Sequence, residues 1–214
     1  MEDDTISQRY YLELAAAFVR GRLGPIASDA LGLFRAGRKA GLSLHKFKRT
    51  SLPRVQKVIG LLTGLSPRTV LDIGSGRGAF LWPLLHTLRV IQVDAVDVSE
   101  QRVSDINAVR DGGIDRVKAH RMDVTRLGFD DDQFDITCAL EVLEHLKDPH
   151  AACREILRVS TSYAIISVPS KPDDNEAHIQ LFDHETMTQM VMNAGARAVD
   201  ISYVRGHLIA FARI

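Results

Sequence analysis

Residues 70–80, "VLDIGSGRGAF", indicate the fold most directly. A short run that is apolar except for Asp72 is typical of a buried strand, and glycines follow it at positions 74, 76 and 78. Gly74 and Gly76 let the backbone turn tightly and approach a ligand without an intervening Cβ. The free N–H groups of a helix that follows can receive a polar or anionic group. The stretch is therefore interpreted as strand, ligand-binding loop and helix, although "GSGRGA" also fits the dinucleotide pattern G-x-G-x-x-A.

After Pro67, apolar runs alternate with segments of helical spacing. The predicted strands are "TVLDIG", "VIQVDAVDV", "RVKAHRMDV", "FDITCAL", "YAIISVPS", "RAVDISYV" and "HLIAFARI". Ser99 and Asp183 are suited to cap two of the intervening helices. This alternation predicts parallel strands with right-handed crossovers, and hence a doubly wound α/β sheet. Arg205 and Gly206 separate the last two strands, which predicts a hairpin and an antiparallel final strand.

The N-terminal part differs from the rest in pattern and in charge. Residues 5–65 have helical spacing interrupted by glycines and Pro25, which favours several short helices. Residues 30–71 contain nine Lys or Arg and no acid, whereas residues 72–214 contain 22 acids and 15 Lys or Arg. We therefore expect an N-terminal helical cap or lid at 1–66 and a second unit at 67–214. The basic segment has three interpretations: docking on the acidic unit, binding an anionic substrate, or binding nucleic acid.

The bulk composition sets broad limits. A chain of 214 residues that is 45% hydrophobic can form one substantial core. No apolar run approaches the roughly 20 residues that span a bilayer. The start of the chain, "MEDDTISQRYYLEL", is acidic and lacks the order of a signal peptide. Cys138 and Cys153 lie in apolar runs without metal-like spacing, which favours buried thiols and a cytoplasmic location.

Carboxylates follow the next two strands at positions suited to a nucleoside. Asp97 closes the second strand, where a carboxylate can accept hydrogen bonds from both ribose hydroxyls. Met122, Asp123 and Val124 follow the third strand, where a carboxylate with apolar neighbours can hold an adenine. Asp72 is placed to orient the glycine loop or to reach an ammonium group of the ligand. A dinucleotide enzyme would not need this set.

These stretches, with "VDVS", "MDVTRLGFDDDQFDITCALEVLEHL" and the late "NAG" helix, resemble the class I S-adenosylmethionine-dependent methyltransferases of the methyltransferase-11 type over roughly residues 67–213. The resemblance implies a Rossmann-like sheet of seven strands in the order 3-2-1-4-5-7-6. It also implies S-adenosylmethionine as cofactor, with the glycines facing its methionine part, Asp97 its ribose, Asp123 its adenine edge and Leu140 nearby. The predicted cofactor-binding residues are Asp72, Gly74, Gly76, Asp97, Val98, Met122, Asp123, Val124 and Leu140.

Residues 134–149, "FDITCALEVLEHLKDP", place charged groups directly after the fourth strand. If a helix starts there, Glu141, Glu144 and His145 share one face, because residues three and four apart are neighbours. Two carboxylates and an imidazole suit a divalent cation such as Mn²⁺, Fe²⁺, Zn²⁺ or Mg²⁺. His178 is a candidate fourth ligand, and His184 a less well aimed one. The pattern resembles the Glu-x-x-Glu-His of ubiquinone-pathway O-methyltransferases and of small-RNA 3′-end 2′-O-methyltransferases.

The same residues have two metal-free interpretations. Glu141 and His145 can serve catalysis directly, with His145 as general base, because the ordinary histidine pKa of about 6.5 lies near working pH. They can also be purely structural. We therefore carry three functions: methyl transfer to an oxygen or nitrogen of a small, in some cases anionic, molecule; metal-dependent RNA 2′-O-methylation; and non-catalytic binding of a cofactor or partner. The sequence around His178 lacks the aromatic and basic character expected of the RNA enzymes, which disfavours nucleic acid.

Overall fold

The computed structural model describes residues 8–44, 52–172 and 174–214. Three helices come first: α1 (Gln8–Leu23), α2 (Ala30–Lys39) and α3 (Pro53–Leu65). The strands and helices that follow are β1 (Thr69–Ile73), α4 (Leu81–Thr87), β2 (Gln92–Asp97), α5 (Glu100–Asp111), β3 (Val117–Arg121), β4 (Phe134–Leu140), α6 (Pro149–Arg158), β5 (Ser160–Pro169), α7 (His184–Asn193), β6 (Ala198–Val204) and β7 (His207–Arg213).

The seven strands form one sheet in the order β3-β2-β1-β4-β5-β7-β6. The five strands from β3 to β5 pair in parallel, whereas β7 is antiparallel to both β5 and β6. The predicted sheet order and the closing hairpin are confirmed. Ser99 and Asp183 are N-caps, since their side chains accept hydrogen bonds from the backbone N–H groups of Arg102 and Thr186.

Hydrophobic side chains cover both faces of the sheet. One cluster joins Val70, Val93 and Ile136 to helices α1 to α5. The other joins alternate residues of the same strands, such as Leu71, to α6 and α7. This alternation is the expected result of side chains pointing to opposite faces of a strand. Cys138 and Cys153 are free and buried, and burial raises the pKa of the Cys153 thiol to about 12.

Helix α1 packs so closely on α5 that their backbones touch. A Cβ at Gly21 would lie 1.8 Å from the carbonyl oxygen of Ala108, and one at Gly112 would lie 1.7 Å from that of Ala17. Only glycine permits this approach, because any larger side chain would overlap the facing backbone. The first helix therefore belongs to the hydrophobic cluster of the sheet.

The chain does not continue as the expected helix after β4. Glu141 has a φ of 60°, and its N–H donates to the carbonyl of Ser167 on β5 at 2.8 Å. One 3-10 turn follows at Leu143–His145 and ends before α6. The expectation that Glu141 shares a helical face with Glu144 and His145 is wrong, because the left-handed conformation at Glu141 turns its side chain out of that register.

Within the described ranges, no helix has both the length and the apolar character needed to cross a bilayer.

Candidate functional site

A cavity of about 560 Å³ lies at the carboxyl ends of the parallel strands. Such ends form the ligand crevice of doubly wound sheets, because the winding direction reverses between β1 and β4. Eight of the nine predicted cofactor-binding residues line the cavity: Gly74, Gly76, Asp97, Val98, Met122, Asp123, Val124 and Leu140. The ninth, Asp72, is buried in β1 and does not line the cavity. Glu141 and His145 also line the cavity.

The loop after β1 is fixed to the end of β2. The N–H of Gly74 donates to the carbonyl of Val96 at 2.7 Å. Gly74 and Gly76 have φ values of +71° and +55°, which glycine adopts without strain. A Cβ on Gly74 would overlap the Val142 side chain at 2.5 Å, whereas one on Gly76 would meet only the carbonyl oxygen of Gly74 at 3.7 Å. The face of Gly76 is therefore open for a ligand to approach.

Asp97 links this loop to the start of α5. Its carboxylate accepts hydrogen bonds from the N–H groups of Gly76 and Ser99, both at 2.9 Å. The Arg102 guanidinium lies 3.3 Å from the same carboxylate and is about half exposed. The buried Asp97 side chain is held by backbone donors and lines the cavity. The half-exposed Arg102 side chain is the contact that a ligand could displace.

Asp72 is an acid enclosed by the sheet. The residue is 2% exposed, and its Oδ2 has no hydrogen-bond partner among the described residues. Burial, opposed by a hydrogen bond from Ser75 and assisted by the charge of Asp97, raises the pKa of this carboxyl to about 7. A cation in the adjacent cavity would favour the ionised form of Asp72, because the interior has little solvent to screen the attraction.

The apolar part of the cavity lies beyond Asp97. Val98 is 64% exposed although it is apolar, and it lines the cavity with Met122. Asp123 is exposed, and its Oδ1 accepts hydrogen bonds from the N–H and hydroxyl of Thr125 at 2.9 and 2.8 Å. These bonds fix the carboxylate, and no described residue bonds its Oδ2. A flat aromatic ring with an amino edge would find apolar contacts and one acceptor here.

Glu141 lies in a polar cluster built from distant parts of the chain. Its Oε1 accepts from the Ser167 hydroxyl at 2.6 Å, and its Oε2 lies 3.0 Å from Nδ1 of His207. Nε of Arg54, from α3, lies 3.5 Å from Oε1. These contacts compensate for the left-handed backbone at Glu141, which costs about 1–2 kcal/mol in a non-glycine residue.

His145 is the imidazole that faces the cavity. It is exposed, and its Nδ1 lies 2.8 Å from the carbonyl oxygen of Ala177. A carbonyl only accepts, so Nδ1 carries the proton and the neutral ring keeps a lone pair on Nε2. The loop with Ala177 is held beside the turn, because the N–H of Ile179 donates to the carbonyl of Glu144 at 2.9 Å. His145 is thus oriented with a free basic nitrogen.

Three of the four predicted metal ligands come together. One ligand atom each from Glu144, His145 and His178 lies within 4.8 Å of the other two. The rings of His145 and His178 have centroids 4.8 Å apart. Glu141 is not a member of this group, because Ser167, His207 and Arg54 engage its carboxylate elsewhere. His184, the alternative ligand, begins α7 and is also outside the group.

The sequence did not reveal the site residues that are distant from Glu141 in the sequence. Arg54 was counted within the basic segment but not placed in the cavity, and Ser167 and His207 were not singled out. The available signal was the charge of an acid-free segment and a histidine directly after the hairpin turn. Neither signal could predict that residues 54, 141 and 207 are neighbours, because only the tertiary structure brings them together.

Comparison with known proteins bears on this site. Residues 71–167 match the model of a family described as a methyltransferase domain. Ajmaline N-methyltransferase from Rauvolfia serpentina is 30% identical over 108 residues, which are 49% of this chain and 36% of that protein. The chain therefore matches little more than a third of the length of that relative.

Two solved structures extend the likeness in fold. A SAM-dependent methyltransferase from Aquifex aeolicus is 24% identical with a TM-score of 0.61, covering 75% of this chain and 88% of its own. An O-methyltransferase family protein from Burkholderia thailandensis is 16% identical with a TM-score of 0.65, covering 90% of this chain and 62% of its own. Residues 71–167 therefore match a methyltransferase domain, and the chain has the fold of these methyltransferase structures.

Proposed function

We propose that the protein transfers a methyl group from S-adenosylmethionine to an oxygen or nitrogen of a small molecule. The observation that supports this most strongly is that eight cofactor-binding residues predicted from separate loops line one cavity. The family match and the N-methyltransferase relative favour the same activity.

The cavity has the properties that an adenosyl sulfonium compound requires. The open face of Gly76 gives room for close approach to the backbone, and Asp97 can accept hydrogen bonds from a ribose. The exposed Val98 offers an apolar surface that a bound adenine would cover. Asp72 supplies a buried negative charge for the cationic part when it is ionised. When bound, the cofactor supplies a methyl group activated by the positive charge on sulfur.

The chain contributes positioning and proton removal. The glycine loop and Asp97 fix one end of the cavity, so the acceptor has to approach from the side of His145. The carbonyl of Ala177 holds the proton of His145 on Nδ1 and leaves Nε2 to take a proton from an acceptor hydroxyl or amine. His145 is therefore the proposed general base, and Glu141 helps to shape the acceptor side of the cavity.

The test has two stages. Isothermal titration should show that the unmodified protein binds S-adenosylhomocysteine, and absence of binding would contradict the proposal. S-adenosylmethionine is then incubated with a panel of alcohols, phenols, amines and short RNA, with S-adenosylhomocysteine formation as readout. Binding without turnover on any acceptor favours the non-catalytic alternative, and turnover on RNA alone favours the RNA alternative. With an active acceptor, His145→Gln should lower turnover about 10²–10⁴-fold, whereas His150→Gln, at an exposed position of α6, should not.

A second proposal concerns a divalent cation at Glu144, His145 and His178. Two imidazole nitrogens and one carboxylate suit Mn²⁺, Fe²⁺ or Zn²⁺ better than Mg²⁺, which prefers oxygen ligands. The Ala177 carbonyl would orient His145 for a metal as it would for a proton. The two roles exclude each other, because Nε2 has one lone pair.

Metal analysis of protein purified without chelator distinguishes these roles. If the cation binds, the unmodified protein and His184→Ala should carry near-equal amounts, and His178→Ala should lose most of it. A protein that takes up none of these cations would contradict the cation proposal and leave His145 available as the base.

A further inference from the structure

Arg54 lines the cavity but has no role in the proposed function. It lies in the first turn of α3 and is one of nine basic residues in the acid-free segment. Of the members of that segment that the structure describes, it is Arg54 that lines the cavity. Its side chain is only 19% exposed, so the cation is largely withdrawn from water. Such a position is unfavourable unless the guanidinium meets acceptors or a counter-charge.

Two neighbours hold the guanidinium in place. Nη1 of Arg54 lies 3.3 Å from Nε2 of His207. Arginine can only donate, so Nε2 of His207 accepts and the proton of this ring lies on Nδ1. That Nδ1–H in turn donates to Glu141 at 3.0 Å. His207 therefore acts as a positioning residue between Arg54 and Glu141.

Most of the hydrogen-bonding capacity of Arg54 remains available. Glu141 is the nearest negative charge, but its distance of 3.5 Å from Nε is longer than a charge-assisted hydrogen bond. The short contacts of Glu141 go instead to Ser167 and His207. Nη2 of Arg54 forms no hydrogen bond or ion pair with another described residue. A planar fork of N–H groups at the wall of a cavity matches the two oxygens of a carboxylate or phosphate.

We propose that Arg54 binds an anionic group, a carboxylate or a phosphate, of a molecule that occupies the cavity. The inference rests on the proposed function in that the cavity is taken as the site of methyl transfer. The anion has two possible sources: the amino-acid carboxylate of the cofactor, or an acidic group on the methyl acceptor. The second source would make the acceptor a small acid or a phosphorylated molecule.

The test compares the unmodified protein with Arg54→Gln and Arg54→Lys. Lys57→Gln is the matched control, because it removes the same charge from the same helix at a residue outside the cavity wall. Titrations use S-adenosylhomocysteine, which has the carboxylate, and 5′-methylthioadenosine, which lacks it. Inorganic phosphate and malonate are then titrated into protein saturated with S-adenosylhomocysteine, with the melting temperature as readout.

Each result decides between the sources. If Arg54→Gln lowers the affinity for S-adenosylhomocysteine at least tenfold and leaves the affinity for 5′-methylthioadenosine unchanged, the anion belongs to the cofactor. If both nucleosides bind normally but the stabilisation by phosphate or malonate is lost, the anion belongs to the acceptor. Arg54→Lys keeps the charge and should lose less affinity, or less stabilisation, in the titration that Arg54→Gln affects. This variant still tests the proposal if Arg54→Gln folds poorly.

Unchanged binding of all four probes in Arg54→Gln would overturn the assignment. A protein that binds neither nucleoside contradicts the methyl-transfer proposal instead. In that case, phosphate and malonate titrated into the unliganded protein still test Arg54 itself.

Discussion

The two ends of the cavity are built in different ways. At one end, Gly76 lies in the loop after β1 and Asp97 ends the adjacent strand β2, and the Asp97 carboxylate accepts from the backbone N–H groups of Gly76 and Ser99. At the other, Arg54, Glu141 and His207 come from α3, the end of β4 and the start of β7, and they meet through side chains. The residues of the first end are marked by local sequence signals at the ends of strands, whereas those of the second end are brought together by tertiary packing alone. We therefore expect the first end to dominate binding of the nucleoside part of the cofactor, and the second end to bind the anionic group and the acceptor.

The largest expected effect tests the first end at Asp97. Asp97→Ala removes a buried acceptor of two backbone N–H groups and the predicted ribose contact. We expect affinity for S-adenosylhomocysteine to fall about 100-fold, since hydrogen bonds to a charged group contribute about 1.5–3 kcal/mol. Asp94→Ala is the matched control on the same strand, because Asp94 pairs with His120. Equal affinities of the two variants in isothermal titration would break the comparison.

Gly76→Ala should have the next largest effect. Its φ of +55° strains any other residue by about 1–2 kcal/mol, and the new methyl would enter the open face of the loop. We expect about a 30-fold loss of affinity for S-adenosylhomocysteine by titration. Gly195→Ala has the same type of strain, at a φ of +112° with nothing within 4 Å of the new Cβ. A similar loss of affinity in that variant would show that general instability, rather than the loop, is responsible.

A pH series sharpens the role of Asp72. Because its folded pKa is raised to about 7, the carboxyl is mostly protonated at pH 6 and ionised at pH 8. The cationic cofactor favours the ionised form, so affinity for S-adenosylmethionine should rise about tenfold from pH 6 to pH 8. Asp72→Asn should remove most of this rise. A slope that persists in the variant would assign the titration to another group.

The same group makes a prediction for stability without ligand. A carboxyl with a raised folded pKa favours folding below its unfolded pKa of 3.8 and loses this contribution as the pH rises through about 7. Unliganded Asp72→Asn should therefore melt at a higher temperature than the unmodified protein at pH 8. The difference should shrink at pH 5, where Asp72 is protonated, and differential scanning calorimetry measures both.

The smallest effect is expected at His145, which lines the acceptor side of the cavity. His145→Gln should change affinity for S-adenosylhomocysteine less than about twofold, because His145 orients on Ala177 and not on the glycine loop. Titration of this variant beside Asp97→Ala gives the comparison directly. A large loss of affinity in His145→Gln would mean that the two ends are not separable.

The fold could be predicted from sequence because each element carries its own signal. The strands are apolar runs bounded by turn residues, and the caps Ser99 and Asp183 precede their helices directly. The same holds for the glycine loop and the acids that end β2 and follow β3. Each of these can be recognised from residues within a few positions of one another, although the Asp97 carboxylate also accepts from the N–H of Gly76, 21 positions away.

The second end was not predictable, because its contacts join residues that are far apart in the sequence. Glu141 follows an apolar strand and precedes a leucine-rich stretch, which favours a helix by local pattern. The contacts with Ser167 and His207, 26 and 66 positions away, support a conformation that local preference disfavours. A carboxylate predicted to bind a cation lies instead among hydrogen-bond donors, and only the folded chain reveals them.

The contact between the backbones of α1 and α5 has a consequence for chimaeric proteins. Gly21 and Gly112 act as a matched pair, since each faces a carbonyl of the opposite helix. A chimaera joined before β1 would pack a foreign first helix against Ala108 and Gly112. If that helix lacks a small residue at the position of Gly21, its side chain would force the first helix and α5 apart. A chimaera that exchanges residues 30–65 alone keeps the pair and still replaces Arg54. Recombination aimed at a new acceptor therefore has its favourable breakpoint between α1 and α2, well before the point at which the charge of the sequence changes.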